Sequence, residues 1–375
     1  MANYFNVTGS QTIAGTSTQD QFFAFTRLAN LDYVRPDAVL TQLTWDSAIL
    51  TGSGAAYQLV ATDIQISTDM FLGDLGTDIM YGSNLNDAIL YNNGSISGGF
   101  GSFDNIEQFW LASGNDIIDL SAHGPAGIDY AKDILVQGGQ GNDSIIGGAG
   151  KDNLQGDSGD DIIFGWRGSD TISGGVGVDV LYGDDLGFNG KSGDDSLNGG
   201  SENDLLFGGR GKDKLVGGDG HDTLTGGAGE DNLAGGAGGD TLYGDDDAAS
   251  GSDMLNGDAG NDWLYGGLSG DEIYGSLGDD FLDGGAGNDF LQGGGGIDTI
   301  MAGAGNDVID GSTEADTLVF LGNRADYVFT LQADGSYLAV DQRTGSPEGT
   351  DTIRNVESFQ FADLTIPSSD VLLFV

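Results

Sequence analysis

The carboxylates of this chain fall into a file. From Gly138 to Val319 a nine-residue unit runs nineteen times in tandem, and every copy has Asp at its sixth place and Leu or Ile at its eighth. The sixth-place residues are Asp143, Asp152, Asp161, Asp170, Asp179, Asp195, Asp204, Asp213, Asp222, Asp231, Asp240, Asp253, Asp262, Asp271, Asp280, Asp289, Asp298, Asp307 and Asp316. Clear copies read Gly138-Gly-Gln-Gly-Asn-Asp143-Ser-Ile145-Ile, Gly226-Gly-Ala-Gly-Glu-Asp231-Asn-Leu233-Ala and Gly284-Gly-Ala-Gly-Asn-Asp289-Phe-Leu291-Gln. Calcium takes six to eight oxygens from carboxylates and backbone carbonyls. Glycine turns expose carbonyls and the Asp adds charge, so the file is expected to hold metal. Asp also caps turns for its own sake, but nineteen of nineteen exceeds a turn preference.

A fixed period this short marks a solenoid. The unit resembles the nonapeptide of the RTX (hemolysin-type calcium-binding) family, and the resemblance covers about half the chain. It implies an all-β fold, a parallel β-roll in which two nonapeptides make one coil. Units n and n+2 then stack on the same edge, with one calcium ion between them. Nineteen units allow seventeen such ions, which would add +34 to the net charge of −47 and leave −13. Most sites are expected to fill, and the calcium-free chain is expected to be expanded.

The elements that position the file are short. Each unit reads as a six-residue turn followed by a three-residue strand, whose side chains alternate faces. The eighth residue points inward, from Ile145 and Leu154 through Leu318; the seventh and ninth point outward. A buried Leu or Ile stabilises by roughly 1.5–3 kcal/mol, against about 1–2 kcal/mol of backbone entropy per ordered residue. So thin a core needs the metal. Coils of eighteen residues spaced about 4.8 Å apart make nineteen units a stiff rod about 45 Å long.

Two units are stretched. Gly183 to Asn198 carries seven extra residues, with Asp184, Asp185 and Asp194 beside Asp195; Gly244 to Asn256 carries four, with Asp245, Asp246 and Asp247. Both stand in even-numbered units, so both loops are expected on one edge. They read either as tolerated surface insertions or as extra acidic loops for metal or a partner. The ninth places are uneven too. Odd units carry Ile146, Phe164, Tyr182, Phe207, Tyr243 and Tyr265, while even units are mostly polar. With Trp263 and Phe281 at seventh places, one sheet is expected to show an aromatic ladder outside. Such a ladder fits contact with the rest of the chain, contact with another molecule, or cross-strand stacking.

The flanks are organised differently. Residues 1–71 are expected to form a β-rich N-terminal cap, since an open solenoid end exposes its core and strand edges. Residues 72–137 read as irregular coils of decayed repeats, with Gly73 to Tyr81 and Gly82 to Leu90 in register and Asp116 to Ile118 as part of another. The roll proper spans 138–319. Residues 320–375 are expected to form a C-terminal β cap around a hairpin, Tyr327 to Leu331 and Tyr337 to Val340, with a type I′ turn at Asp334-Gly335. The end, Asp370-Val-Leu-Leu-Phe-Val375, resembles the uncleaved C-terminal signal of type I secretion substrates.

Composition excludes several function classes. The chain has 69 glycines, no cysteine and a net charge of −47. Nucleic acid is excluded as a partner, because phosphate binding needs Lys and Arg; divalent cations are the natural partners. No basic-then-apolar N-terminal signal is visible, and no apolar run is long enough for a transmembrane segment. Only His123 and His221 exist, His221 at the variable fifth place, so neither is expected to be catalytic. There is no H-E-x-x-H and no G-x-S-x-G, and Gly190-Lys191-Ser192 lacks the first glycine of a P-loop.

The leading expectation is an extracellular or cell-surface calcium-binding protein without catalysis. It would be exported unfolded, fold on external calcium, and serve as a surface, matrix, filament or adhesion component with possible self-association or polysaccharide contact. The alternatives are a carbohydrate-active enzyme (lyase, epimerase or hydrolase) seated in residues 1–137 and a secreted symbiosis or signalling factor of the same family.

Overall fold

Small and apolar residues alternate beyond the three positions read as strand. In Asn232–Ala237 the side chains run exposed, buried, intermediate, buried, intermediate, exposed, so Leu233 and the next unit's first glycine, Gly235, both face inward. Most repeat strands are therefore six residues long, from the seventh place of one unit to the third place of the next. The three-residue strand read from sequence is too short because glycine carries no hydropathy signal, yet its backbone continues the ladder.

The computed structural model describes residues 108–120, 132–184, 193–245, 251–344 and 348–373, together with the backbone of short strands between Phe5 and Leu90 and at Ser102–Asp104. His123 and most of both acidic inserts lie outside the described residues. The chain divides into two compact units, Met1–Gly193 and Asp194–Val375.

In the first unit, Ile79–Tyr81, Gln108–Trp110, Leu135–Gln140, Asn153–Ser158 and Thr171–Val176 pair in parallel succession. Ala88–Leu90, Ile117–Asp119, Ser144–Ile146, Ile162–Trp166 and Val180–Asp184 form the companion ladder. The register advances by one coil, as in Leu154↔Ile172 and Ile145↔Ile163, so odd and even units do lie on separate sheets. The decayed copies at Ile79–Tyr81 and Ala88–Leu90 join these ladders as expected. Met70–Leu72 pairs in parallel with Thr12–Ala14 and Ser102–Asp104, across the 71/72 boundary read from sequence.

The second unit repeats the arrangement. Its even ladder runs from Ser196–Ser201 through Val308–Thr313, and its odd ladder from Leu205–Arg210 through Thr317–Val319. Every eighth-place Leu or Ile from Ile145 to Leu318 is at most 1% exposed, so within each unit the core is one inward row. In this unit the row is closed by aromatic side chains: Phe320 stacks on Phe361 at 4.9 Å, Phe329 stacks on Phe359 at 5.4 Å, and the Arg324 guanidinium lies over Phe329.

The C-terminal hairpin forms as expected, with Leu331 opposite Tyr337. Its turn differs. The Gly335 amide donates to the Gln332 carbonyl at 3.1 Å, and Gly335 (φ +91°) is the only residue of the loop with positive φ. A type I′ turn needs positive φ at both central residues. More of this segment joins the roll than the sequence suggested. Thr350–Arg354 and Ser358–Gln360 pair in parallel with the last even and odd strands, so the chain adds coil strands here as well as a cap.

Candidate metal centre

The sixth-place side chains are set by the turn that precedes them. Gly229, at a fourth place, has φ +144°, and its Cα lies against the Gly211 carbonyl of the preceding coil, where any side chain would collide. A backbone curled this tightly brings Asp231 back over the core edge. Every Asp in the file is at most 3% exposed.

Each Asp is bonded to its counterpart one coil away. The Asp143 amide donates to Oδ1 of Asp161, Asp161 to Asp179, and Asp262 to Asp280; such bonds are 2.7 to 2.9 Å long throughout both units. Across the four-residue insert the Asp231 amide donates to Asp253 Oδ1 at 2.8 Å, 22 residues on, so the register is kept. The second carboxylate oxygen is treated differently. In Asp143, Asp161, Asp222, Asp231, Asp240, Asp253, Asp262, Asp271, Asp280, Asp289, Asp298, Asp307 and Asp316, Oδ2 is buried and has no hydrogen-bond partner. Asp152 departs from this pattern: its Oδ2 accepts the Gly148 amide at 2.9 Å, and the preceding coil has Ile134 in place of an acid.

A buried carboxylate oxygen without a partner is costly, and it faces a gap. A Cβ built on Gly226, the first residue of its unit, would stand 2.6 Å from Asp231 Oδ2 and 2.7 Å from the Gly244 carbonyl oxygen; on Gly266 it would stand 2.5 Å from Asp271 Oδ2 and 2.8 Å from the Gly284 carbonyl oxygen. The missing side chain leaves a cradle edged by a carboxylate and a carbonyl. These are hard oxygen donors with no sulfur or imidazole among them, the set that suits calcium. Among the described residues no three acidic, His or Cys side chains gather at one point. One carboxylate per coil has that result, and carbonyls would supply most of the remaining donors.

Burial sets the protonation of the file. It pushes Asp161 and Asp271 up to about 8, Asp143, Asp152, Asp253, Asp262, Asp289 and Asp316 to about 7, and Asp231, Asp240, Asp280 and Asp307 to about 6. Neighbouring carboxylates add to the rise in most of them, as Asp253 and Asp289 do for Asp271. A cation would act in the opposite sense.

The file is longer than the sequence suggested. The Asp116 amide donates to Asp143 Oδ1 at 2.7 Å, so the partial copy at 113–118 takes its place in the column. Past the repeats, Asp351 Oδ1 accepts the Asp307 amide at 3.1 Å and Glu357 Oε2 accepts the Asp316 amide at 3.0 Å. Sequence reading missed both acids; the Gly349-Thr-Asp351-Thr-Ile353 stretch was the available signal. The fifth place, read as variable, carries a second ladder: Asn142 Oδ1 accepts the Asp160 amide, Asp160 Oδ1 the Val178 amide, and Asn203 Oδ1 the His221 amide. His221 Nδ1 in turn receives the Gly239 amide at 2.7 Å, which assigns it to the turn.

The aromatic ladder stacks as its spacing allows. Phe164 and Tyr182 lie 4.5 Å apart and nearly parallel, Tyr243 and Tyr265 lie 5.0 Å apart, and Trp263 lies 5.0 Å from Phe281. Ile146 and Phe164 are buried, while Trp263 is 53% exposed.

A family model described as the RTX calcium-binding nonapeptide repeat matches residues 137–172, 156–185, 189–224, 216–248, 247–282 and 283–318. No curated protein matches the chain. The repeats, the one-coil register and the cradles between stacked units agree with that match: residues 137–318 belong to the RTX family of calcium-binding nonapeptide repeats.

Proposed function

We propose that this is a secreted protein that folds on meeting extracellular calcium and then serves, without catalysis, as a surface, matrix, filament or adhesion component. The observation that carries this reading is the set of buried Oδ2 atoms without a hydrogen-bond partner at Asp143, at Asp161 and along the column positions from Asp222 to Asp316. Bound calcium supplies the positive charge that offsets their desolvation. The chain's own part is to hold one oxygen of each Asp on the neighbouring coil and to aim the other into the glycine cradle. A net charge of −47 opposes compaction without cations. Cytosolic calcium is scarce, so a chain of this kind stays export-competent inside the cell and folds outside. The acidic-apolar end at Asp370 to Val375 fits a type I secretion route. The exposed aromatics Trp263 and Tyr243 supply a surface for self-association.

Size-exclusion chromatography with light scattering across a calcium titration tests folding and assembly together. The expected result is a sharp fall in hydrodynamic size at constant mass, followed by any self-association at higher calcium. A hydrodynamic size that does not respond to calcium overturns the reading.

A further inference from the structure

Both carboxylate columns of the second unit end on residues outside the matched repeats, and the two ends differ. On the even column the next acid is Asp351, but the first place of its partner unit is Ala302. A methyl group there occupies the position that other units leave bare. On the odd column the first place is Gly311, and the cradle is open. A Cβ built on Gly311 would stand 2.6 Å from Asp316 Oδ2 and would collide with the carbonyl oxygen of Asn355. Asn355 thus takes the role that the next unit's first glycine plays elsewhere in the column. Asp316 is fully buried, and its Oδ2 has no hydrogen-bond partner.

Glu357 completes the arrangement. Its Oε2 accepts the Asp316 amide at 3.0 Å, as the next sixth-place Asp does elsewhere, and the Ser358 amide donates to the Asp316 carbonyl at 3.0 Å. A repeat places five residue steps between its first and sixth places, whereas Asn355 and Glu357 are two apart. The extra methylene of Glu spans part of that shortfall. Glu357 is exposed, so a cation can enter from solvent. Its own carbonyl receives the amide of Ser368, the first residue of the terminal 3₁₀ turn Ser368–Leu373.

We propose that Gly311 and Asp316, at the end of the matched repeats, form one further divalent-cation site with Asn355 and Glu357, which lie beyond the residue 318 limit of the match. The donors are the Asp316 carboxylate, the Asn355 carbonyl and the Glu357 carboxylate, with water filling the remaining positions of a calcium shell. The proposal rests on reading the rest of the file as calcium-binding. It also gives the C-terminal segment a structural role, because the cation ties residues 355–368 to the last repeat.

Crystals of the full chain soaked in terbium test this without any variant. An anomalous peak between Gly311, Asn355 and Glu357, alongside peaks in the repeats, is expected. Peaks in the repeats and none at this position overturn the proposal alone; no peaks anywhere overturn the calcium reading as well. Native mass spectrometry in calcium gives a second measurement. Glu357→Gln keeps an acceptor for the Asp316 amide but removes the charge, and it is expected to bind one ion fewer than the wild type. The double variant with Asp316→Asn is expected to be short by that same single ion. A wild-type ion count in Glu357→Gln contradicts the proposal.

Discussion

The amide of Asp289 donates to Oδ1 of Asp307, 2.9 Å away and eighteen residues later in the chain. Oδ1 of Asp289 in turn accepts the amide of Asp271, also at 2.9 Å. One oxygen of each carboxylate therefore fastens the preceding coil, while Oδ2 of Asp289 is buried without a hydrogen-bond partner, as the proposed calcium site requires. A single substitution in the file acts on two coils and one cradle.

Asn and Ala separate these two roles at Asp289. Asp289→Asn keeps an acceptor for the Asp271 amide and loses the charge, so it is expected to raise the calcium midpoint with little further effect. Asp289→Ala also strands that amide, which adds about 1–3 kcal/mol of destabilisation. Calcium-titrated circular dichroism and urea unfolding at saturating calcium measure the two effects. Equal behaviour of both variants and the wild type contradicts the assignment.

Stability without calcium is expected to fall as pH rises. Burial raises Asp240 to about 6, Asp262 to about 7 and Asp161 to about 8 in the folded state, from an ordinary carboxylate value of 3.8. The folded coil then holds protons that the unfolded chain releases. That contribution is complete below about pH 4 and is lost as pH climbs through 6 to 8. With calcium the order reverses, because ligation needs the deprotonated form. Circular dichroism in EDTA from pH 4 to pH 8 is expected to show declining strand signal; a rise across that range contradicts the reading.

Two glycines distinguish conformational strain from collision. Gly335 has φ +91° with nothing within 4 Å of an added Cβ, so Gly335→Ala is expected to cost about 1–2 kcal/mol. Gly229 has φ +144° and the Gly211 carbonyl in the way, so Gly229→Ala must displace a coil and cost more. Thermal unfolding in saturating calcium ranks them. Equal costs contradict the stacking described for the turn.

Replacing Tyr182, Tyr243 and Tyr265 by Ser removes the Phe164–Tyr182 and Tyr243–Tyr265 stacks. Each lost aromatic pair is worth about 0.5–1.5 kcal/mol beyond burial. Calcium stoichiometry is expected to stay the same, with lower stability and a changed mass by light scattering. Unchanged stability and unchanged mass remove the ladder as a contact surface.

The roll was legible because its signal is periodic. Leu233 and Asp231 recur with their counterparts every nine residues, and that period implies both the inward row and the one-coil pairing. What stayed hidden depends on geometry that the period does not carry. Gly235 reads as turn by composition but lies inside a strand. Asp351 and Glu357 join the columns 44 and 41 residues after their partners, across a hairpin that no fixed spacing announces. The ladder of Asn142, Asp160 and Asn203 was lost because other units have Lys, Val or Gly at that place, whose side chains offer no acceptor, while His221 makes the same bond through a ring nitrogen.

The central claim is that cations held by the file bring the turns together. Hydrogen exchange of the sixth-place amides, from Asp195 to Asp298, tests it most directly at pH 8. Strong protection in millimolar calcium, collapsing throughout the file when EDTA is added, is the expected result. Protection that persists in EDTA would mean that the coils hold without metal, and the account would be wrong.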